Sequence, residues 1–78
     1  MKMKTLNEEN KVLGNKIASL RIKNKWSQEK LASKLQLCGL DISRATLSKI
    51  ELGTRQLYAV ELKHFANIFN VNINELLS

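Results

Sequence analysis

Two serines and two glycines divide the middle of the chain into short helical segments. Ser27 and Ser43 each precede an apolar pattern and can cap a helix at its start. Gly39 and Gly53 follow such patterns and can supply the left-handed residue that ends a helix. The chain has 78 residues and no proline. A chain of this length forms one domain at most, so these signals predict short helices around one small core.

The apolar spacing between these signals is helical. The first segment has apolar residues every three or four positions: Leu31, Ala32, Leu35 and Cys38. This stripe predicts a helix that starts after Ser27 and ends near Leu37 or Cys38. In the second segment, Leu47 and Ile50 predict a helix with an inward face that ends at Gly53.

Three further stripes predict the remaining helices. Their apolar residues are Leu13, Ile17 and Leu20; Leu62, Phe65, Ala66 and Phe69; and Ile73, Leu76 and Leu77. The first helix is predicted over roughly Val12 to Asn24, with Asn7 and Asn10 as alternative caps. The fourth is predicted to end at Asn70, and Asn72 can cap the fifth. The chain is therefore predicted to be all-α with five helices.

The charge of the chain indicates an anionic partner. Thirteen Lys and Arg residues against seven Asp and Glu residues give a net charge of +6. The first 25 residues contain seven of these cations and only two acids. Nucleic acid is the favoured partner. An anionic membrane surface is the alternative. Binding to a membrane would need exposed leucine and aromatic side chains, and the apolar stripes already place those side chains in a core.

The cysteine and histidine content argues against other classes of protein. Cys38 and His64 are single residues of their type, so we expect neither an intrachain disulfide nor a His/Cys zinc site, and no cofactor. No nucleophile and base occur at a recognisable spacing, so we do not expect an enzyme. The basic N-terminus is followed by polar residues rather than by a signal-peptide core, and we expect a cytoplasmic protein with no membrane partner.

Three runs of sequence carry a resemblance to a known family. They are Trp26–Leu35 (WSQEKLASKL), Ile42–Gly53 (ISRATLSKIELG) and Phe65–Leu77 (FANIFNVNINELL). The chain resembles the Cro-like phage-repressor (XRE) helix-turn-helix family from about Leu13 to Leu77. The resemblance implies a compact, lambda-repressor-like DNA-binding domain over residues 12–78, with a helix-turn-helix at helices 2 and 3. Residues 1–11 are then expected to be a partly ordered N-terminal extension.

The resemblance also implies the residues that would contact DNA. Base-reading positions fall on Arg44, Ala45 and Lys49. Arginine and lysine can donate to guanine O6 and N7, whereas alanine can only contact a thymine methyl group. Positions at the DNA backbone fall on Gln28, Ser43, Thr46, Ser48 and Arg55.

Two more positions are implied to be structural, and one segment departs from the family. Arg21 and Glu51 match residues that form a salt bridge between the first and third helices of related domains. Between Leu35 and Ser43 lie seven residues, where the family has two. We expect this five-residue insertion to lengthen helix 2 by about one turn and to leave residues 39–42 as the bend.

The function that follows is transcriptional regulation. We expect a repressor that binds double-stranded DNA as a homodimer, on an inverted repeat with half-sites about 34 Å apart. The alternative is an antitoxin or adaptor whose main surface binds a protein partner. Two features leave the dimer interface open: the Ile73, Leu76 and Leu77 cluster can be core or dimer contact, and Tyr58 can pack or dimerise.

Overall fold

Five helices make up the fold. The computed structural model describes residues 6–77, with side chains from residue 8 onward. The helices are α1 (Leu6–Lys23), α2 (Gln28–Leu37), α3 (Arg44–Leu52), α4 (Ala59–Phe69) and α5 (Ile73–Leu77). Residues 6–77 contain no β-strand. The predicted all-α, five-helix fold is confirmed.

The start of α1 differs from the prediction. The helix begins at Leu6 rather than near Val12, so neither Asn7 nor Asn10 is its cap. Residues 6–11 are mostly polar and produce no apolar stripe. At the end of this stretch, Lys11 packs closely against Gly53, a tertiary contact that local spacing does not reveal. Residues 1–5 of the expected extension lie outside the described residues.

Serine and asparagine caps start three of the helices. Ser27 Oγ accepts the Lys30 N–H at 3.0 Å, and Ser43 Oγ accepts the Thr46 N–H at 3.1 Å. Asn72 Oδ1 accepts the N–H of Asn74 at 2.9 Å. These three predicted caps are confirmed.

The start of α4 uses a different device. Its N-cap residue, Tyr58, makes no capping hydrogen bond with its side chain. Instead, the Glu61 carboxylate reaches back from the first turn and accepts the Tyr58 N–H at 3.0 Å. An acid three residues into the helix therefore satisfies the backbone N–H of the N-cap residue.

The first four helices all end in the same way. A residue with positive φ follows each helix: Lys25, Gly39, Gly53 and Asn70. The next N–H then bonds back into the helix, as in Leu40 N–H to Leu35 O at 2.9 Å and Thr54 N–H to Lys49 O at 3.0 Å. This is the Schellman pattern, which satisfies carbonyl groups left unpaired at a helix end. Three of these endings were predicted, and the one at Lys25 was not.

The core lies where the five helices meet. Its buried apolar residues are Ile17, Leu31, Ala32, Leu35, Ile42, Leu47, Ile50, Leu62, Phe65, Ala66, Phe69 and Leu76. The predicted stripes supply every one of them except Ile42. Cys38 was expected to extend the stripe of α2 and is exposed. The helix ends at Leu37, within the predicted bounds, and the Schellman turn brings Leu40 and Ile42 to the core instead of Cys38.

The inserted segment is folded against its neighbours. As expected, α2 continues past Leu35 to Leu37, and the chain turns at Gly39. The Gln36 side-chain amide donates to the carbonyl oxygen of Ile42 at 2.8 Å. Since Ile42 is only 2% exposed, the segment that leads into α3 is fixed at both of its ends.

Candidate nucleic-acid interface

Two glycines set how closely α3 approaches α1. A Cβ atom on Gly14 would lie 2.6 Å from the Glu51 carbonyl oxygen and nearer still to that of Ile50. A Cβ atom on Gly53 would lie 2.7 Å from Lys11 Cα. Both approaches are to backbone, which cannot move aside as a side chain can. The C-terminal half of α3 is therefore seated directly on the backbone of α1.

A charged network ties α3 to two other elements. Arg21 on α1 donates through Nε to Glu51 Oε2 at 2.7 Å and through Nη2 to Oε1 at 3.1 Å. Gln28, the first residue of α2, donates through Nε2 to Glu51 Oε1 at 3.0 Å. The Arg21 and Glu51 side chains are 15% and 7% exposed. A bidentate pair shielded to this degree holds its geometry firmly.

The same arginine also holds the turn between α1 and α2. Arg21 Nη1 donates to the carbonyl oxygen of Trp26 at 2.9 Å. The Trp26 ring stacks on Phe69 of α4 with centroids 5.9 Å apart, and Lys34 Nζ lies 4.7 Å from the Trp26 centroid. The turn is thus connected to α3 through Arg21 and to α4 through Trp26.

The outer face of α3 carries exposed polar and charged side chains. Arg44, Ala45 and Lys49 are exposed, while Thr46 and Ser48 are half-buried. Neither cation takes part in the two described ion pairs, which are Arg21–Glu51 and Arg55–Glu61. The face opposite Leu47 and Ile50 therefore presents hydrogen-bond donors, the small Ala45 side chain and, at the end of α3, Leu52, which is 66% exposed.

The Ser43 hydroxyl already has partners within the protein. Besides accepting the Thr46 N–H, it forms a 3.1 Å hydrogen bond with Thr46 Oγ1. Gln28 is likewise engaged, through the one Nε2 hydrogen bond to Glu51. Its amide retains a second N–H and its carbonyl oxygen for another ligand.

Arg55 belongs to a second ion pair beyond the end of α3. Its guanidinium donates to both oxygens of Glu61, at 3.0 and 2.9 Å, and also to the Gln56 carbonyl oxygen. Hydrogen bonding from Arg55 holds the pKa of Glu61 below its usual range, against the opposing effect of burial. The same hydrogen bond raises the pKa of Arg55. The Arg55 side chain remains 32% exposed.

Residues 6–77 show neither a metal-binding cluster nor a membrane-spanning helix. They contain no group of three or more His, Cys, Asp or Glu side chains placed to hold a metal ion. No helix among them is both long enough and apolar enough to cross a membrane.

Comparison with protein families identifies this arrangement. A family model described as a helix-turn-helix domain matches residues 14–78. The chain belongs to the helix-turn-helix family. The predicted family resemblance is therefore confirmed, and the helix-turn-helix unit consists of α2, the connector and α3. No curated protein matches the chain.

The predicted DNA-contact residues lie at three places in and beside this helix-turn-helix unit. Arg44, Ala45, Thr46, Ser48 and Lys49 lie on α3, with Ser43 at its cap. Gln28 joins the other end of α3 through Glu51. Arg55 lies after α3 and is held by Glu61 of α4.

Sequence reasoning missed several residues that position the helix-turn-helix unit. Gly14 has no local signal for its role, because its close contact with α3 is purely tertiary. Glu61 could have been found, because an acid three residues after a helix start is the signal of a capping box. The left-handed conformation of Lys25 has no sequence signal, since lysine is not a residue that favours it.

Proposed function

We propose that this helix-turn-helix protein is a sequence-specific transcriptional regulator of the Cro-like (XRE) type that acts as a cytoplasmic repressor. The observation that carries the proposal is the outer face of α3, where Arg44 and Lys49 lie just over one turn apart and form no ion pair within residues 6–77. The opposite face of the helix is seated firmly on α1. A helix of this kind fits the major groove of B-form DNA.

Arg44, Ala45 and Lys49 are the proposed base readers. Arg44 lies at the first position of α3 and Lys49 just over one turn later. In helix-turn-helix proteins, the N-terminal residues of the second helix contact base edges. Arg44 and Lys49 would donate to guanine, and Ala45 would contact a thymine methyl group.

The proposed backbone contacts divide according to how free each side chain is. Gln28 keeps one amide N–H for a phosphate, and Thr46 and Ser48 lie at the side of α3. The Ser43 hydroxyl caps α3 and donates to Thr46 Oγ1, so Ser43 would contact DNA together with the Thr46 hydroxyl. Arg55 can offer a phosphate the N–H groups that Glu61 and Gln56 leave unused. These contacts would orient the protein without specifying sequence.

Selection of bound sequences from random duplex DNA tests the proposal. We expect the wild-type protein to yield a consensus, and we expect Arg44→Ala and Lys49→Ala each to relax it at one or two positions at a cost of about 1–3 kcal/mol. Lys63→Ala, on α4, is the matched control and should leave the consensus unchanged. If both α3 variants select the wild-type consensus, these residues are not the base readers.

We expect the protein to bind as a homodimer on an inverted repeat, because one α3 covers only a half-site. Double-stranded DNA with two half-sites should therefore bind two chains cooperatively. Analytical ultracentrifugation with a half-site and with the full repeat measures the stoichiometry. One chain bound independently to each half-site would contradict the dimer.

An antitoxin or adaptor is the second candidate function. The observation that favours it is the exposure of two neighbouring apolar side chains at the start of α4: Tyr58 and Val60 are each 61% exposed. A stable, stoichiometric complex with a second protein, lost on Tyr58→Ser and Val60→Ser substitution while DNA binding persists, would favour this function over simple repression.

A further inference from the structure

Lys25 adopts a backbone conformation that lysine normally avoids. Its φ is +60°, and it follows α1 at the position that glycine occupies after α2 and α3, and asparagine after α4. The left-handed region brings the Cβ atom of an L-residue close to its own carbonyl oxygen. Of these four equivalent positions, Lys25 is therefore the one where a long side chain is kept despite a conformational cost.

The ammonium group of Lys25 is available to a ligand. The residue is exposed, and among the described residues it takes part in no ion pair. Asn24 and Lys23, its neighbours in the chain, are also exposed. Nothing within the described part of the protein accounts for a cation at this strained position.

The position of Lys25 is fixed relative to the helix-turn-helix unit. The next residue, Trp26, has its carbonyl oxygen held by Arg21, which also binds Glu51 of α3. Gln28 is three residues further along and is bound to the same Glu51 carboxylate. The Cα atoms of Lys25 and Gln28 are separated by at most about 11 Å, since three extended residues span no more.

We propose that Lys25 binds a DNA backbone phosphate next to the one that Gln28 contacts, and that the strained turn exists to present this cation. The inference rests on the proposed DNA-binding function. Backbone strain kept at a ligand-contact position is a recognised feature of functional sites. The contact adds affinity and carries no base information.

Substitutions at Lys25 distinguish the effect of its backbone strain on stability from the effect of its charge on DNA binding. Lys25→Gly and Lys25→Asn both suit a left-handed residue and remove the cation. We expect both to raise the Tm by about 2–5 °C, because the strain is relieved. We expect both to weaken operator binding about three- to tenfold at 100 mM salt, and to lower the slope of log affinity against log salt by about 0.9. The selected consensus should not change.

Two control variants complete the experiment. Lys25→Arg keeps both the cation and the strain, so its affinity, salt slope and Tm should match those of the wild type. Lys63→Gln removes one cation from α4, beside α5, and should leave the salt slope unchanged. Wild-type affinity and salt slope in Lys25→Gly would overturn the phosphate contact, and a lower Tm in that variant would overturn the claim of strain.

The outcome is distinguishable from a failure of the proposed function. If the wild-type protein selects no consensus, the regulator proposal fails whatever Lys25 does. If the wild type selects a consensus and Lys25→Gly binds it equally well with the same salt slope, only the Lys25 inference fails. If the consensus itself changes, Lys25 reads bases and the assignment to phosphate is wrong.

Discussion

At the scale of single residues, Glu51 is the acceptor on which three elements converge. Glu51 belongs to α3, and its carboxylate accepts hydrogen bonds from Arg21 of α1 and Gln28 of α2. With side-chain exposures of 15% and 7%, the Arg21–Glu51 pair is shielded from water. The contribution of such a pair depends on keeping both partners, because a single remaining charge is left without compensation.

We therefore expect Glu51→Ala and Arg21→Ala each to lower the free energy of unfolding by about 3 kcal/mol. The double variant should lose much less than the sum, because the second substitution removes a charge that is already uncompensated. Urea unfolding of the four proteins gives this double-mutant cycle. Additive losses would mean that the two side chains do not depend on one another.

Glu61 gives a pH dependence at the same scale. Its pKa is lowered in the folded protein by the hydrogen bond from Arg55, so the carboxylate stabilises the fold above its unfolded pKa, near 4.5. This stabilisation is lost as the pH falls from about 4.5 through the lower folded value. Glu61→Gln and Arg55→Gln should both show a shallower loss of unfolding free energy over that range. Acid titrations followed by circular dichroism would refute this if all three proteins lose stability in parallel.

At the scale of elements, the position of α3 is determined mainly by its contact with α1. Gly14 lies where the two helices meet backbone to backbone, so Gly14→Ala forces them apart. We expect a loss of about 1–3 kcal/mol from overpacking, although alanine favours a helix more than glycine does. Asn15→Ala, on the exposed side of α1, is the control and should be neutral or slightly stabilising in thermal melts. A Gly14→Ala protein as stable as the wild type would mean that this close approach relaxes freely.

The same contact explains which elements could be predicted from the sequence. The bounds of α2 and α3 were predictable from local signals. Each of these helices has a serine cap at its start and a glycine after its end, and such residues act on the adjacent turn alone. The predicted start of α1 was wrong because residues 6–11 carry no apolar stripe and the contact of Lys11 with Gly53 is tertiary. The burial of Ile42 was missed for a similar reason, since it depends on where the inserted turn returns the chain to the core.

For the candidate site, the sequence indicates where the side chains lie but not which other side chains they bind. The family pattern places Arg44 and Lys49 on the outer face of α3, where both are exposed. It could not indicate that Ser43 shares its hydroxyl with Thr46, or that Arg55 is held by Glu61. Those pairings depend on side-chain geometry, which residue type and spacing do not specify.

At the scale of the whole molecule, a groove of about 390 Å³ is lined by apolar and polar residues of α1, of α4 and the segment before it, and of α5. Val12 and Leu77 lie along it and are 45% and 60% exposed, whereas Leu76 is buried as part of the core. Among the described residues, 6–77, those that line the groove include no lysine or arginine, although the chain carries a charge of +6. A second copy of the chain can therefore approach this surface without strong repulsion between cations.

We expect the proposed homodimer to use this groove, so Leu77→Asp should shift the protein from dimer to monomer. Sedimentation equilibrium measures the change, and operator binding should weaken because the two half-sites are no longer occupied together. Leu37→Asp is the matched control: Leu37 is 88% exposed at the end of α2 and does not line the groove. A dimer that persists in Leu77→Asp would place the interface elsewhere.

The inserted turn before Ser43 has a consequence for how proteins of this kind can diverge. The helix that follows it is anchored near its far end, by Gly14, Gly53 and Glu51, and not by the length of the connector. Mutations that lengthen or shorten the connector can therefore accumulate without displacing α3, as long as one apolar residue returns to the position of Ile42. If Arg44 reads bases as proposed, lineages can then exchange its side chain and acquire a new target sequence while the scaffold stays the same.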